Sequence, residues 1–242
     1  MIETIYYIIL IYFLLGGIGF YIINRKKDYG VAQKSYTKFG VYFIIINILF
    51  FSIAINPLVF QYLSILIIGV GFFELFRLFR KSGYRTKGFY LLSLIVFAIL
   101  STGFLLYGTL QKELILFSFI VLSIFDSFSQ ITGQLFGRKK LFPKTSPNKT
   151  LGGLIGGGFI AITSSFFLCN LFSEPNLKTT EISLGVVFFA FTGDLAASFY
   201  KRKFNVKDYS NLIPGHGGFL DRFDSLIVAG AWVSFYQYVL YI

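Results

Sequence analysis

The chain has 242 residues, 55% of them hydrophobic and 14% charged, with a mean hydropathy of +0.72. A soluble domain of this length carries roughly 25% charged residues to cover its wet surface, so the composition excludes an ordinary soluble fold. It points to an all-α integral membrane protein, a polytopic bundle of about eight helices. The net charge of +11 suits membrane topology and anionic headgroups and calls for no nucleic acid partner. The length fits a single membrane domain over 1–242. Cys169 is the only cysteine and stands in an apolar run, where a small packing residue is expected and no internal disulfide can form.

About twenty apolar residues cross a bilayer as a helix. That rule places spans at 3–23, 40–55, 57–76, 88–108, 113–135, 152–172, 181–200 and 223–242. The first run is too long for a signal-peptide core, and Glu3 rather than a base precedes it. It is expected to stay as a span. The second and third are divided at Asn56-Pro57, a poor continuation for a helix. Residues 1–110 thus form N-terminal transmembrane helices, and 111–242 form the half in which the chemistry concentrates.

Charge placement tests the count. Arg25, Lys26, Lys27, Lys34 and Lys38 fall in the first connection, and Arg77, Arg80, Lys81, Arg85 and Lys87 in the third. Arg138, Lys139, Lys140, Lys144 and Lys149 fall in the fifth, and Lys201, Arg202, Lys203, Lys207 and Arg222 in the seventh. Only Lys112 and Lys178 lie elsewhere. Eight spans bring all four basic connections to one side, which the positive-inside rule makes cytoplasmic, with both termini outside.

Two segments on that side carry more than charge. The first, 126–158, begins with Asp126 well inside an apolar run. An acid at such depth faces a bundle interior or a wet cavity, or accepts a hydrogen bond from a Ser or Thr on a neighbouring helix. Its bases, with Ser146 and Thr150, can bind phosphates; a solvated charge run would look the same. Gly152, Gly153, Gly156 and Gly157 make two overlapping G-x-x-x-G pairs. That spacing lets helix backbones approach closely, the favoured reading over a phosphate resting on the helix start.

The second segment, 193–225, gathers Asp194, Asp208, Asp221 and Asp224, five bases and the only histidine, His216. Asp221 and Asp224 are three apart at the start of the last helix and share a face. With Asp194 from the preceding helix they make a cradle for Mg²⁺, completed by substrate phosphates and water. Each could also simply cap free helix amides. His216 sits among glycines in Pro-Gly-His-Gly-Gly, a loop able to approach a ligand closely. Acids for a metal, bases for phosphates and a site at the membrane surface point to phosphoryl or nucleotidyl transfer to a lipid.

The same segment resembles the signature of phosphatidate cytidylyltransferases (CDP-diacylglycerol synthases). The matching positions are Ser198-x-x-Lys201-Arg202, Lys207-Asp208-x-Ser210, Ile213-Pro214-Gly215-His216-Gly217-Gly218 and Asp221-Arg222-x-Asp224. Upstream, Asp126, Gly133, Phe136-Gly137-Arg138, Pro143 and Ser146-Pro147-x-Lys149-Thr150 also look like the family. The first 110 residues match only as apolar spans.

The resemblance implies transfer of CMP from CTP to phosphatidic acid, releasing pyrophosphate, with Mg²⁺ and room for a second cation. It implies Asp194, Asp221 and Asp224 as metal ligands. Ser146, Lys149, Ser198, Lys201, Arg202, Asp208 and Asp126 are its substrate-binding candidates, and Asp221, Asp224, His216, Lys207 and Arg222 its catalytic ones. It also implies a multi-pass protein of the cell's inner membrane, with a homodimer among the assemblies open to it. Three positions depart from the family: Gly152 and Ala197 stand where acids are usual, and Gln130 where an aromatic is. These keep other readings open: a CTP-dependent lipid kinase of the polyprenol type, or a non-catalytic lipid-binding paralogue. A transporter is disfavoured, because no acids continue to the far side.

Overall fold

A computed structural model of the chain describes residues 2–172, 176–213 and 217–240. Eight helices follow one another: α1 Ile2–Asn24, α2 Tyr29–Ile55, α3 Pro57–Lys81, α4 Lys87–Tyr107, α5 Lys112–Phe136, α6 Leu151–Phe172, α7 Asn176–Lys203 and α8 Leu220–Phe235. α8 runs on into a π-helical turn, Tyr236–Leu240. The first seven are long and apolar enough to cross a membrane. The protein is a polytopic, all-helical membrane bundle.

The expected break at Asn56-Pro57 is there, and local chemistry explains it. Asn56 is extended (φ −149°) and its side chain accepts the Leu58 amide, while Pro57 opens α3. Proline is at home in the first turn, where its missing N–H is not needed. α2 begins earlier than its apolar run, taking in the polar stretch from Tyr29.

α5 is the central helix and packs against α1, α2, α6, α7 and α8. Its stretch Ile115, Leu116, Phe117, Ser118, Phe119, Ile120, Val121, Leu122 is buried on every face, as an all-round apolar helix should be. α6 lies directly on it. A Cβ at Gly153 would stand 2.6 Å from the Ser129 carbonyl oxygen, and one at Gly157 2.6 Å from the Ser129 nitrogen. The G-x-x-x-G spacing therefore serves backbone contact, as its favoured reading held.

Between α5 and α6 the chain makes a small antiparallel hairpin, β1 Lys140–Phe142 and β2 Ser146–Thr150. The expected phosphate-binding basic loop thus contains a pair of short strands that the sequence does not predict. The Phe142 ring lies 6.2 Å from that of Phe191, which sets the hairpin against α7. At its end the Thr150 hydroxyl accepts the Gly153 amide (3.1 Å) in the first turn of α6.

Contacts gather the basic connections at one end of the bundle. Lys27 reaches Gln134 near the end of α5 (3.3 Å). Tyr200 near the end of α7 donates to the Leu75 carbonyl of α3 (3.0 Å), and Arg202 donates to the Thr145 carbonyl in the hairpin turn (3.1 Å).

Candidate active site

At the basic end a cavity of about 770 Å³ lies between α1, α2, α5, the hairpin, α7 and the start of α8. Its polar wall takes Asp126 from α5, Ser146 and Lys149 from β2, and Asp194 and Lys201 from α7. Asp208, Asp221, Arg222 and Asp224 complete it. Two segments far apart in sequence thus face one space.

Gly193 brings two of the acids together. A Cβ there would meet the Asp224 carbonyl oxygen at 3.1 Å and Val228 at 2.8 Å. α7 and α8 touch through their backbones at this level, and Asp194 lies within electrostatic range of both Asp224 and Asp126. Asp126 also accepts a hydrogen bond from the Ser225 hydroxyl of α8 (3.0 Å). Both readings of this deep acid hold: it faces the cavity and it binds a neighbouring helix.

Lys149 is pinned over α7. Its ammonium pairs with Asp194 (2.9 Å), donates to the Phe191 carbonyl (3.2 Å) and lies 4.5 Å from the Phe191 ring centre. The other oxygen of Asp194 accepts from Ser198 (3.3 Å). Lys149 thereby presents one positive charge to the cavity from the hairpin side.

Asp221 is engaged on both oxygens. Oδ1 pairs with Lys201, whose side chain is 10% exposed against 2% for Asp221. Oδ2 accepts the amides of Gly218 (2.8 Å) and Tyr209 (2.9 Å). Asp221 therefore holds the amides of loop residues rather than capping the free amides of α8, and it ties α7, Tyr209, Gly218 and α8 into one unit. Lys201 also lies 5.1 Å from the Tyr209 ring centre. Burial first, and the carboxylates of Asp224 and Asp221 after it, push the Tyr209 phenol well above its ordinary pKa. It stays neutral and donates to the Ala197 carbonyl (3.4 Å).

The metal cradle drawn from sequence is rearranged by these contacts. Among the described residues no three His, Cys, Asp or Glu side chains are grouped to hold an ion by themselves. Asp221 turns to Lys201 and the loop amides, while Asp194, paired with Lys149, lies within electrostatic range of Asp224 and Asp126. Mg²⁺ commonly takes one or two carboxylates and fills its shell with water and substrate phosphates. The hard oxygens of Asp194 and Asp224, beside bases that attract phosphate, fit such an ion.

Other sequence candidates sit outside the cavity wall. Arg202 spends its guanidinium on the carbonyls of Thr145 and Val206 (3.1 and 3.2 Å), joining the end of α7 to the hairpin turn. Lys207 is exposed on the loop. Ser198 acts through Asp194. His216 falls outside the described residues.

Two features were missed. Glu74 of α3 is fully buried and accepts from Ser210 and the Phe219 and Leu220 amides. An acid within an apolar span was the signal for it. The second is the apolar wall given by the N-terminal helices, including Ile9, Phe13 and Phe20 of α1 and Phe39, Ile45 and Ile46 of α2. Nothing in their pattern distinguishes wall from lipid-facing surface.

The departures also gain a physical account at one position. A Cβ on Gly152 would lie 3.1 Å from both the Phe136 carbonyl oxygen and Gly137 Cα, so any side chain there needs the end of α5 to yield. Nothing in the structure explains Ala197 in place of an acid.

Fold and site together define a helical membrane protein with a cavity lined by acids and bases at one end of its bundle. The profile of the cytidylyltransferase family matches residues 84–240. The phosphatidate cytidylyltransferase of Rickettsia felis is 32% identical over 227 residues, covering 88% of this chain and 98% of that protein. That of Rickettsia bellii is 39% identical over 140 residues, and that of Haemophilus influenzae 42% over 134. These two matches cover 54% and 52% of this chain but only 61% and 46% of the relatives' own lengths. The chain belongs to the cytidylyltransferase family.

Proposed function

We propose that this protein transfers the cytidylyl group of CTP to phosphatidic acid, forming CDP-diacylglycerol and pyrophosphate at the cytoplasmic face of the inner membrane. The observation that carries this reading is the two-sided cavity. One side holds Lys149, Lys201 and Arg222 among carboxylates; the other is the apolar wall of α1, α2 and α5. A substrate pair with phosphates at one end and acyl chains at the other uses both. The gathering of basic connections at that end supports a cytoplasmic site, where CTP is made available. The names of the relatives support the same acceptor.

The phosphate of phosphatidic acid is already an anionic nucleophile, so no strong general base is needed. One of its oxygens bonds to the α-phosphorus of CTP. The bond from that phosphorus to the bridging oxygen breaks, and pyrophosphate leaves with the electron pair. The barrier lies largely in bringing two anions together, and catalysis is then positioning and charge compensation. Lys149 from β2 and Arg222 from α8 compensate the phosphates. Lys201, held by Asp221, adds a third charge while keeping the loop closed against α7. Asp194 and Asp224 would hold Mg²⁺, which when bound supplies charge neutralisation at the α-phosphate and the leaving group. The acyl chains lie along Phe13, Phe20 and Phe39, so the lipid can enter from the bilayer without leaving it.

An acceptor panel tests the substrate. Protein purified in detergent with Mg²⁺ and α-labelled CTP is expected to label lipid with phosphatidic acid, and not with diacylglycerol or polyprenol. Label in a polyprenol, or in no phospholipid acceptor, contradicts the proposal.

A further inference from the structure

α8 begins without a cap of its own. Phe219 precedes it and offers no side-chain hydrogen bond, yet the first free amides of a helix must find acceptors when buried. The acceptor comes from another helix. Glu74 of α3, with 0% exposure, accepts the Phe219 amide on Oε1 (2.9 Å) and the Leu220 amide on Oε2 (2.7 Å). Oε1 also accepts the Ser210 hydroxyl (2.5 Å). Gly218 lies so close that a Cβ on it would stand 2.7 Å from Glu74 Oε1.

The placement makes this more than local satisfaction of amides. Asp221, Arg222 and Asp224 are on the first turn and a half of α8, and the Asp221 carboxylate takes the next amide back, that of Gly218. Two buried carboxylates from different helices thus hold consecutive amides, 218 through 220. Ser210 links the same Glu74 to the loop whose Tyr209 amide rests on Asp221. A shift at Glu74 turns the start of α8 and moves the loop with it. A negative charge at a helix start is also favoured by the helix dipole.

We infer that Glu74 is a positioning residue of the active site: it caps α8 from α3 and orients Arg222 and Asp224 toward the bound nucleotide. Glu74 lies outside the stretch that matches the family profile. The kinetic consequence rests on the proposed cytidylyl transfer. A glutamine at this position has one acceptor oxygen and would turn an N–H₂ group toward one of the amides, so it cannot serve all three donors.

The test compares Glu74→Gln, Glu74→Asp and Ser210→Ala in full-length protein purified in detergent. It measures KM for CTP, kcat, the thermal unfolding midpoint and amide hydrogen exchange over 209–224. Glu74→Gln is expected to raise KM for CTP roughly tenfold and to lose protection at Phe219 and Leu220. Protection in α5 and α6 should stay as in wild type, and Glu74→Asp should recover most of the KM. Wild-type KM and wild-type exchange in Glu74→Gln would overturn the inference. So would a lowered midpoint with unchanged KM in the folded fraction, the mark of a purely structural role. Should Glu74→Gln fail to fold, Ser210→Ala decides: it keeps the cap and cuts the loop link, and is expected to raise KM for CTP about threefold. An unchanged KM there counts against the inference. If wild type labels no lipid, the proposed reaction fails, and exchange at 219 and 220 alone decides whether Glu74 holds α8.

Discussion

Lys201 and Asp221 show how closely structure and chemistry share residues at this site. The pair is buried, and removing one partner of such a pair leaves an uncompensated charge that costs about 3–5 kcal/mol. Asp224 has a lighter structural part, its carboxylate accepting its neighbour's amide at Ser225 (2.8 Å). The two aspartates should therefore separate in experiment. Asp221→Asn is expected to lower both the thermal unfolding midpoint and activity. Asp224→Asn is expected to keep a midpoint near wild type while losing roughly 10²-fold or more in kcat, the scale of removing one charge-stabilising contact. Equal midpoints for the two variants would show that the Asp221 contacts do not hold the loop. At this scale the sequence was informative where an ionisable group stood against its background. Asp126 and Asp194, inside apolar runs, could be expected to face the bundle interior or a neighbouring helix, and both line the cavity. It was silent on partners: that Asp221 faces Lys201 and the amides of Tyr209 and Gly218 depends on contacts that no local pattern encodes. Glu74 stood against its background in the same way as Asp126, without a signature motif around it.

Among the elements, the contrast lies between helix packing and cavity walls. Seven of the eight helices were legible because twenty-residue apolar length is a strong signal. The expected eighth span at 223–242 is met by a shorter helix, Leu220–Phe235, that runs into a π-helical turn. The Gly152–Gly157 spacing stated its own packing consequence. Gly157→Ala is expected to destabilise the bundle by about 1–3 kcal/mol, read as a lower unfolding midpoint, because its Cβ would press on the Ser129 backbone. The hairpin was not legible, since strands of three and five residues are too short for a period-two pattern, and Lys139-Lys140 reads first as charge. Nor was the wall built by α1 and α2. Lipid outside and acyl chain inside select the same side chains, so hydropathy cannot separate them. Gly16 offers a way in. It lines the cavity, and a Cβ there meets only Phe39 at an ordinary 3.6 Å. Gly16→Leu should keep or raise stability, as leucine favours helix over glycine by nearly 1 kcal/mol. It should also raise KM for phosphatidic acid several-fold and leave KM for CTP unchanged. A parallel rise in both constants would place the acyl chains elsewhere.

For the whole molecule, the arrangement is a division of labour along the membrane normal and along the chain. Bases collect at one end, as the alternation of charged and uncharged connections predicted. The C-terminal half supplies charge, the N-terminal helices supply apolar wall, and Glu74 and Tyr200 clamp the halves together through α3. Gly152 and Ala197 stand where the family resemblance implied acids, and neither is part of the cavity wall, whose acids are Asp126, Asp194, Asp208, Asp221 and Asp224. The account turns on which bond of CTP is broken. Parallel reactions with α-labelled and γ-labelled CTP, phosphatidic acid and Mg²⁺ answer that directly. Cleavage between the α and β phosphates predicts α-label in lipid and γ-label in pyrophosphate, in equal amounts. The γ-label appearing in lipid, with CDP as the other product, would contradict it.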